Sequence, residues 1–148
     1  MISEANKQRK KRLIAIAAGI LSTILVVYLY SILNRGITTF TSVEFGASNY
    51  YNNIQLNNAK DAVMKVFRQE FGGCKLITLP YDETFSKAYC EAEQYDITNT
   101  IVFSSSFYVY PWGGAGFLTK NIMIDYWNWV VQYSQDLERW IVLSSGIA

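Results

Sequence analysis

The chain of 148 residues contains no histidine. That removes the side chain that most often works as a general base near neutral pH, the histidine-activated serine and cysteine nucleophiles, and most zinc sites. What can still do chemistry is sparse: two cysteines, scattered carboxylates and one glycine-rich stretch. Asp125 stands in the apolar run IMIDYWNW, close to Trp127 and Trp129. Facing a cavity, its carboxyl would be desolvated, its pKa would rise and it could serve as a general base. On an alternating strand it would point to water instead. Glu91 and Glu93 lie two residues apart, which on a strand puts both on one face, but no run of further oxygen ligands accompanies them for calcium.

Cys74 and Cys90 are candidates for a disulfide across a hairpin. Closing a loop of about 16 residues would stabilise the fold by roughly 3 kcal/mol in the chain-entropy view. Two buried free thiols, packed as small apolar groups, are the other reading. The stretch YVYPWGGAGFLTK, residues 108–120, places Gly113, Gly114 and Gly116 behind an apolar run. A phosphate loop needs Gly-x-x-x-x-Gly-Lys-Ser/Thr opening a helix. Here Lys120 follows the last glycine by four positions and the next residues are β-rich. The stretch therefore reads as a strand-to-strand connection, with Pro111 ending the pairing and Trp112 able to cover a pocket. No cofactor and no metal are expected.

The four tryptophans, Trp112, Trp127, Trp129 and Trp140, all fall late in a chain that is 16% aromatic. With Phe103, Phe107, Tyr108, Tyr110, Phe117, Tyr126 and Tyr133 they either line an apolar pocket inside a curved sheet or fill the core beneath it. Tyr110, Trp112, Trp127 and Trp129 are the binding candidates, for a ligand or for a partner face.

These residues need elements to position them. Residues 13–33 carry no charge over a length of about 31 Å at 1.5 Å per residue, which matches a bilayer. Tyr28 and Tyr30 near the far end suit the interface. Lys7, Arg9, Lys10, Lys11 and Arg12 precede the span, so residues 1–12 are expected in the cytoplasm and the rest outside the cell membrane. YSILNRG lacks a small-x-small cleavage pattern and no cysteine follows for lipid attachment, so the span reads as an uncleaved single-pass anchor. From residue 36 onward seven basic side chains face eleven acidic ones, a balance that argues against nucleic acid.

Residues 34–57, polar and rich in Thr, Ser and Asn, read as a tether with a short strand over residues 37–43. Asn58 is the expected N-cap of a helix whose apolar face is Ala59, Ala62, Val63, Val66 and Phe67, with Asp61 in its first turn and Gly72-Gly73 as its stop. The segments CKLITLP and FSKAYCEAEQY, on either side of the turn YDET, read as strands. So do NTIVFSSSFYVY, NIMIDYWNWVVQYS and RWIVLSS, the last two joined by QDLE. The fold expected for residues 58–148 is α+β, one main helix packed on a curved antiparallel sheet of four to five strands.

The stretch from GGCKLITLPYDETFS through TIVFSSSFYVYPWGGAGFLTKNIMIDYWNWVVQYSQDLERWIVLSSG resembles a family of small exported domains of unknown function from Gram-positive bacteria. The matching residues are Cys74, Leu76, Leu79, Tyr81, Asp82, Glu83, Phe107, Gly113, Gly114, Trp127, Trp129 and Trp140. Members of that family are often lipoproteins, whereas this chain has an uncleaved anchor. The element order is also similar to the cone fold of nuclear-transport-factor and ketosteroid-isomerase relatives. The resemblance implies a fold and no catalytic residue. The plan of basic tail, span and exported domain resembles, in architecture, the inner-membrane scaffold subunits of conjugative secretion machines. Two functions follow: a non-enzymatic interaction or scaffold module, meeting a protein partner or a second copy, or a small apolar-ligand or enzymatic pocket of the ketosteroid-isomerase type that uses Asp125.

Overall fold

The computed structural model describes residues 2–114, 116 and 118–147. It divides into two compact units at residues 34/35. The first is α1 (Ile2–Leu33), whose apolar side chains from Leu13 to Tyr30 are exposed. Its backbone hydrogen bonds close within the helix, and the Thr23 hydroxyl donates to the Gly19 carbonyl at 2.9 Å, as a helix in lipid requires. Among the described residues it is the one helix long and apolar enough to cross a membrane. Its place near the N-terminus also fits a signal sequence.

The second unit contains α2 (Asn53–Glu70), β1 (Cys74–Thr78), α3 (Glu83–Ala92), β2 (Thr100–Val109), β3 (Ile122–Ser134) and β4 (Arg139–Ile147). The strands form one antiparallel sheet in the order β1-β2-β3-β4, curved but not closed into a barrel. Each pairing carries one register irregularity, between Leu76 and Thr78, between Ser105 and Phe107, and between Val130 and Val131. Such bulges add twist and bend the sheet. The helix-on-curved-sheet class is the expected one.

Along β2 the predicted alternation holds: Ile101, Phe103, Ser105, Phe107 and Val109 are buried toward α2, while Val102 faces the opposite side. α2 buries Leu56, Ala59, Val63 and Phe67, with Ala62 and Val66 half-buried on its flank. Its cap is Asn52, not Asn58. The Asn52 Oδ1 accepts from the N–H groups of Ile54 and Gln55, each at 3.0 Å, and the Gln55 Oε1 accepts from the Asn52 N–H at 3.0 Å. A reciprocal box satisfies more orphan donors than a lone asparagine, and starting earlier buries Leu56.

Residues 34–57 are not a free tether. The chain runs parallel to β1 through bridges at Ile37–Lys75, Ser42–Thr78 and Phe45–Tyr81 and covers that sheet edge. The Gly36 N–H donates to the Arg68 carbonyl at 3.1 Å and the Ile37 N–H to the Cys74 carbonyl at 2.8 Å. Polar side chains hid the arrangement because backbone groups make these bonds.

FSKAYCEAEQY is helical rather than extended. Asp82 caps α3 by accepting from the Phe85 N–H at 2.7 Å, and Ser86 and Cys90, one turn apart, form its buried face. β1 pairs with β2 only near residues 106–109, so the Val102 N–H on that side needs another partner. The Ser86 hydroxyl oxygen accepts it at 3.0 Å, fastening α3 to the sheet.

That placement overturns the disulfide. Cys74 packs in the α2-side core, whereas Cys90 packs with Val102 and Val130 on the α3 side, so the sheet lies between them. Both are free and buried, and burial pushes both thiols up in pKa. The folded protein should therefore leave both thiols unreactive toward an aromatic disulfide reagent until it is unfolded. Its gel mobility should be the same with and without reductant; a mobility shift would contradict the separation.

Candidate functional site

The concave face of the sheet is filled by rings. Phe67 stacks on Phe71 at 4.9 Å, Phe71 meets Trp127 at 5.7 Å and Trp129 at 5.2 Å, and Phe107 meets Trp127 at 5.5 Å. Trp129 is 0% exposed, and its Nε1–H donates to the Ser105 hydroxyl oxygen at 2.8 Å. Ser105 in turn donates to the Trp127 carbonyl at 3.1 Å. A serine on an apolar face thus serves to receive an indole N–H that would otherwise be buried unpaired, at a cost.

The four aromatic binding candidates are split by this arrangement. Trp127 and Trp129 belong to the core. Tyr110 and Trp112 lie on the β2–β3 connection, stacked 4.8 Å apart and nearly parallel, with Trp112 61% exposed. Tyr108 meets Tyr110 edge-on at 5.2 Å, and its hydroxyl bonds the Asn121 Oδ1 at 2.5 Å. Trp140 and Tyr133 sit at the opposite end of the sheet, 5.5 Å apart. Phe117 lies outside the described residues.

Asp125 is exposed, at the bulge where β3 gains a residue against β2. Ile124 packs on the core, Asp125 and Tyr126 turn out to water, and Trp127 returns inward, with Tyr126 at φ 58°. The desolvation that a general base would need is therefore missing at this carboxyl. Glu91 and Glu93 do not share a strand face either: Glu91 is on α3, 3.8 Å from Lys87, and Glu93 is the C-cap residue. Among the described residues no three His, Cys, Asp or Glu side chains gather to hold a metal.

A hollow of about 630 Å³ forms an open groove between α2 and β4. Ala62, Val66, Trp140 and Val142 supply apolar lining, and Lys65 and Arg139 with Asp61 and Glu138 supply charge of both signs. A second hollow of about 480 Å³ shares Asn58, Tyr133 and Trp140 and continues to Asp96 and Asn99. β4 is the last strand of the sheet. A free strand edge beside an apolar groove can accept an extended segment through its backbone and seat alternate side chains. Sequence reasoning missed this site. Its one signal was that Ala62 and Val66 widen the apolar face of α2 beyond what the core covers.

One carboxylate holds the incoming segment to α3. Glu83 accepts from the Ser48 hydroxyl at 2.7 Å, from the Asn49 N–H at 2.5 Å and from the Asn49 side-chain amide at 2.7 Å. These bonds, that of Ser48 first and then those of Asn49, hold its pKa below the ordinary glutamate value. A depressed pKa means that the clamp is fully present above the unfolded glutamate pKa and is lost as pH falls through the folded one. In an NMR titration the Glu83 carboxyl carbon and the Asn49 amide should move together, at a pH below the usual glutamate midpoint. Separate midpoints would refute the clamp.

No protein-family model matches the chain, and no curated protein and no solved structure matches it either.

Proposed function

We propose that the chain is a single-pass membrane-anchored protein whose domain, residues 35–148, is a non-enzymatic interaction module outside the cell membrane. The observation that carries this reading is the pairing of a filled aromatic core with an open groove along the terminal strand β4. This groove is thus shaped for a protein segment rather than for an enclosed small molecule. The length and apolarity of α1 support the anchor, and the basic cluster before it supports an N-terminus in the cytoplasm. The order of helix and curved antiparallel sheet is compatible with the nuclear-transport-factor-like cone, which is part of the same proposal.

The test is photocrosslinking of the full chain in its own membrane, from a reactive group at Ile141 in the groove and from another at Thr84 on α3 as a control. A reproducible protein adduct is expected from 141 and not from 84, and Val142→Arg should remove it. Asp125→Asn should leave it intact. If no protein is held at 141, or if Asp125→Asn abolishes the capture, the reading fails.

A further inference from the structure

The domain has two chemically different ends. One end gathers the start of β1, the end of β2, the start of β3 and the C-terminus of α2. It carries Arg35, Arg68, Lys75 and Lys120 against Glu70 and Asp125. The remainder of the domain carries Lys60, Lys65, Lys87 and Arg139 against nine acidic side chains, among them Asp96, Asp136 and Glu138 at the far tip. The net positive end is also where apolar side chains are left uncovered. Trp112 is 61% exposed, Tyr126 79% and Ile147 65%, with Ile122 and Met123 beside them.

The same end receives the chain from α1. Gly36 is fixed by its bond to the Arg68 carbonyl, and Ile37 bridges to Lys75, which pairs with Tyr108. Only Asn34 and Arg35 separate Leu33 from Gly36. At about 3.3–3.6 Å per residue, such a linker holds Gly36 within roughly 10 Å of the bilayer boundary.

From these observations we infer that the Trp112 end of the domain docks on the outer surface of an anionic bilayer. The inference rests on α1 being a membrane anchor. Tryptophan and tyrosine settle at the headgroup level, because the ring is apolar and the N–H or O–H stays wet. Basic side chains add attraction to anionic lipid, about fivefold in association for each one near the surface. The acidic far tip is repelled by the same field, which selects one orientation. Docking leaves the α2–β4 groove, on another side of the domain, open to a partner.

The experiment uses the full chain in vesicles of phosphatidylcholine with and without phosphatidylglycerol. An environment-sensitive fluorophore is attached through Thr119→Cys at the docking end or Asp136→Cys at the far tip; the native cysteines are buried. In anionic vesicles the label at 119 should shift to the blue and be quenched by brominated lipid, and the label at 136 should do neither. Lys120→Ala should lower the docked-to-free ratio about fivefold, and Trp112→Ala should lower it further. High salt should weaken the lysine effect. Flotation after an alkaline wash reads the anchor separately. A chain that floats while labels at 119 and 136 behave alike overturns the docking alone, and a chain that does not float overturns both readings.

Discussion

Trp129→Ala should lower the thermal unfolding midpoint of the full chain in detergent by on the order of 15 °C. Trp129 is fully buried among Phe67, Phe71 and Trp127 and binds the Ser105 hydroxyl. Truncating such a ring costs about 3–5 kcal/mol through lost transfer energy and the cavity left behind. At roughly 4 °C per kcal/mol for a domain of this size, the midpoint moves by the amount stated. Ser105 would also lose the N–H it accepts, which adds to the cost. Trp112→Ala is the control, because its exposed ring should change stability by less than about 0.5 kcal/mol. Equal melting of the two variants would mean that the concave sheet face is not the core. Because Trp112→Ala spares the fold, its effect on lipid docking can be read without ambiguity.

Gly113→Ala should destabilise the domain by about 1–3 kcal/mol, the usual range for overpacking. A Cβ at Gly113 would stand 2.0 Å from the Gly73 carbonyl oxygen, which is backbone and cannot rotate away. Gly73 is confined in turn, since its own Cβ would meet the Gly113 Cα at 2.4 Å and its φ is +66°. The close approach is held by the Tyr110 N–H on the Gly73 carbonyl at 3.0 Å and the Gly114 N–H on the Gly72 carbonyl at 3.1 Å. The variant should also lose lipid docking, since the same contact positions Trp112. Gly146→Ala meets open space and should be silent in a parallel melt. If Gly113→Ala is equally silent, the glycine loop is not held by this contact. In this geometry the glycines let two backbone segments touch.

Some features of the fold could be read from residue types in order. The alternation through Ile101, Phe103, Phe107 and Val109 needs only the two-residue period of a strand, and the Ala59, Val63 and Phe67 spacing needs only the helical period. Both are local. The segment around Cys90 failed because Ser86 and Cys90 are small and semi-polar, so its four-residue period is faint, and its burial is decided by Val102 and Val130 from other strands. The tether failed for a related reason: the bonds that dock residues 37–45 on β1 are made by backbone groups, which every sequence has. Asp125 does turn to water, the outward of its two readings, but it does so at a bulge with Tyr126 at positive φ, which no local period announces.

What the sequence determined alone was therefore the apolar N-terminal helix, the class of the domain, the main helix face and the core faces of the paired strands. Each depends on composition or on a short period along the chain. The tertiary structure decided which tryptophans are buried and which is offered to water, on which side of the sheet each cysteine lies, and that the open groove runs beside β4. It also gathered the basic and aromatic residues at one end. These are meetings between residues far apart in sequence, set by strand register, bulges and the path of the backbone, and no local period encodes them.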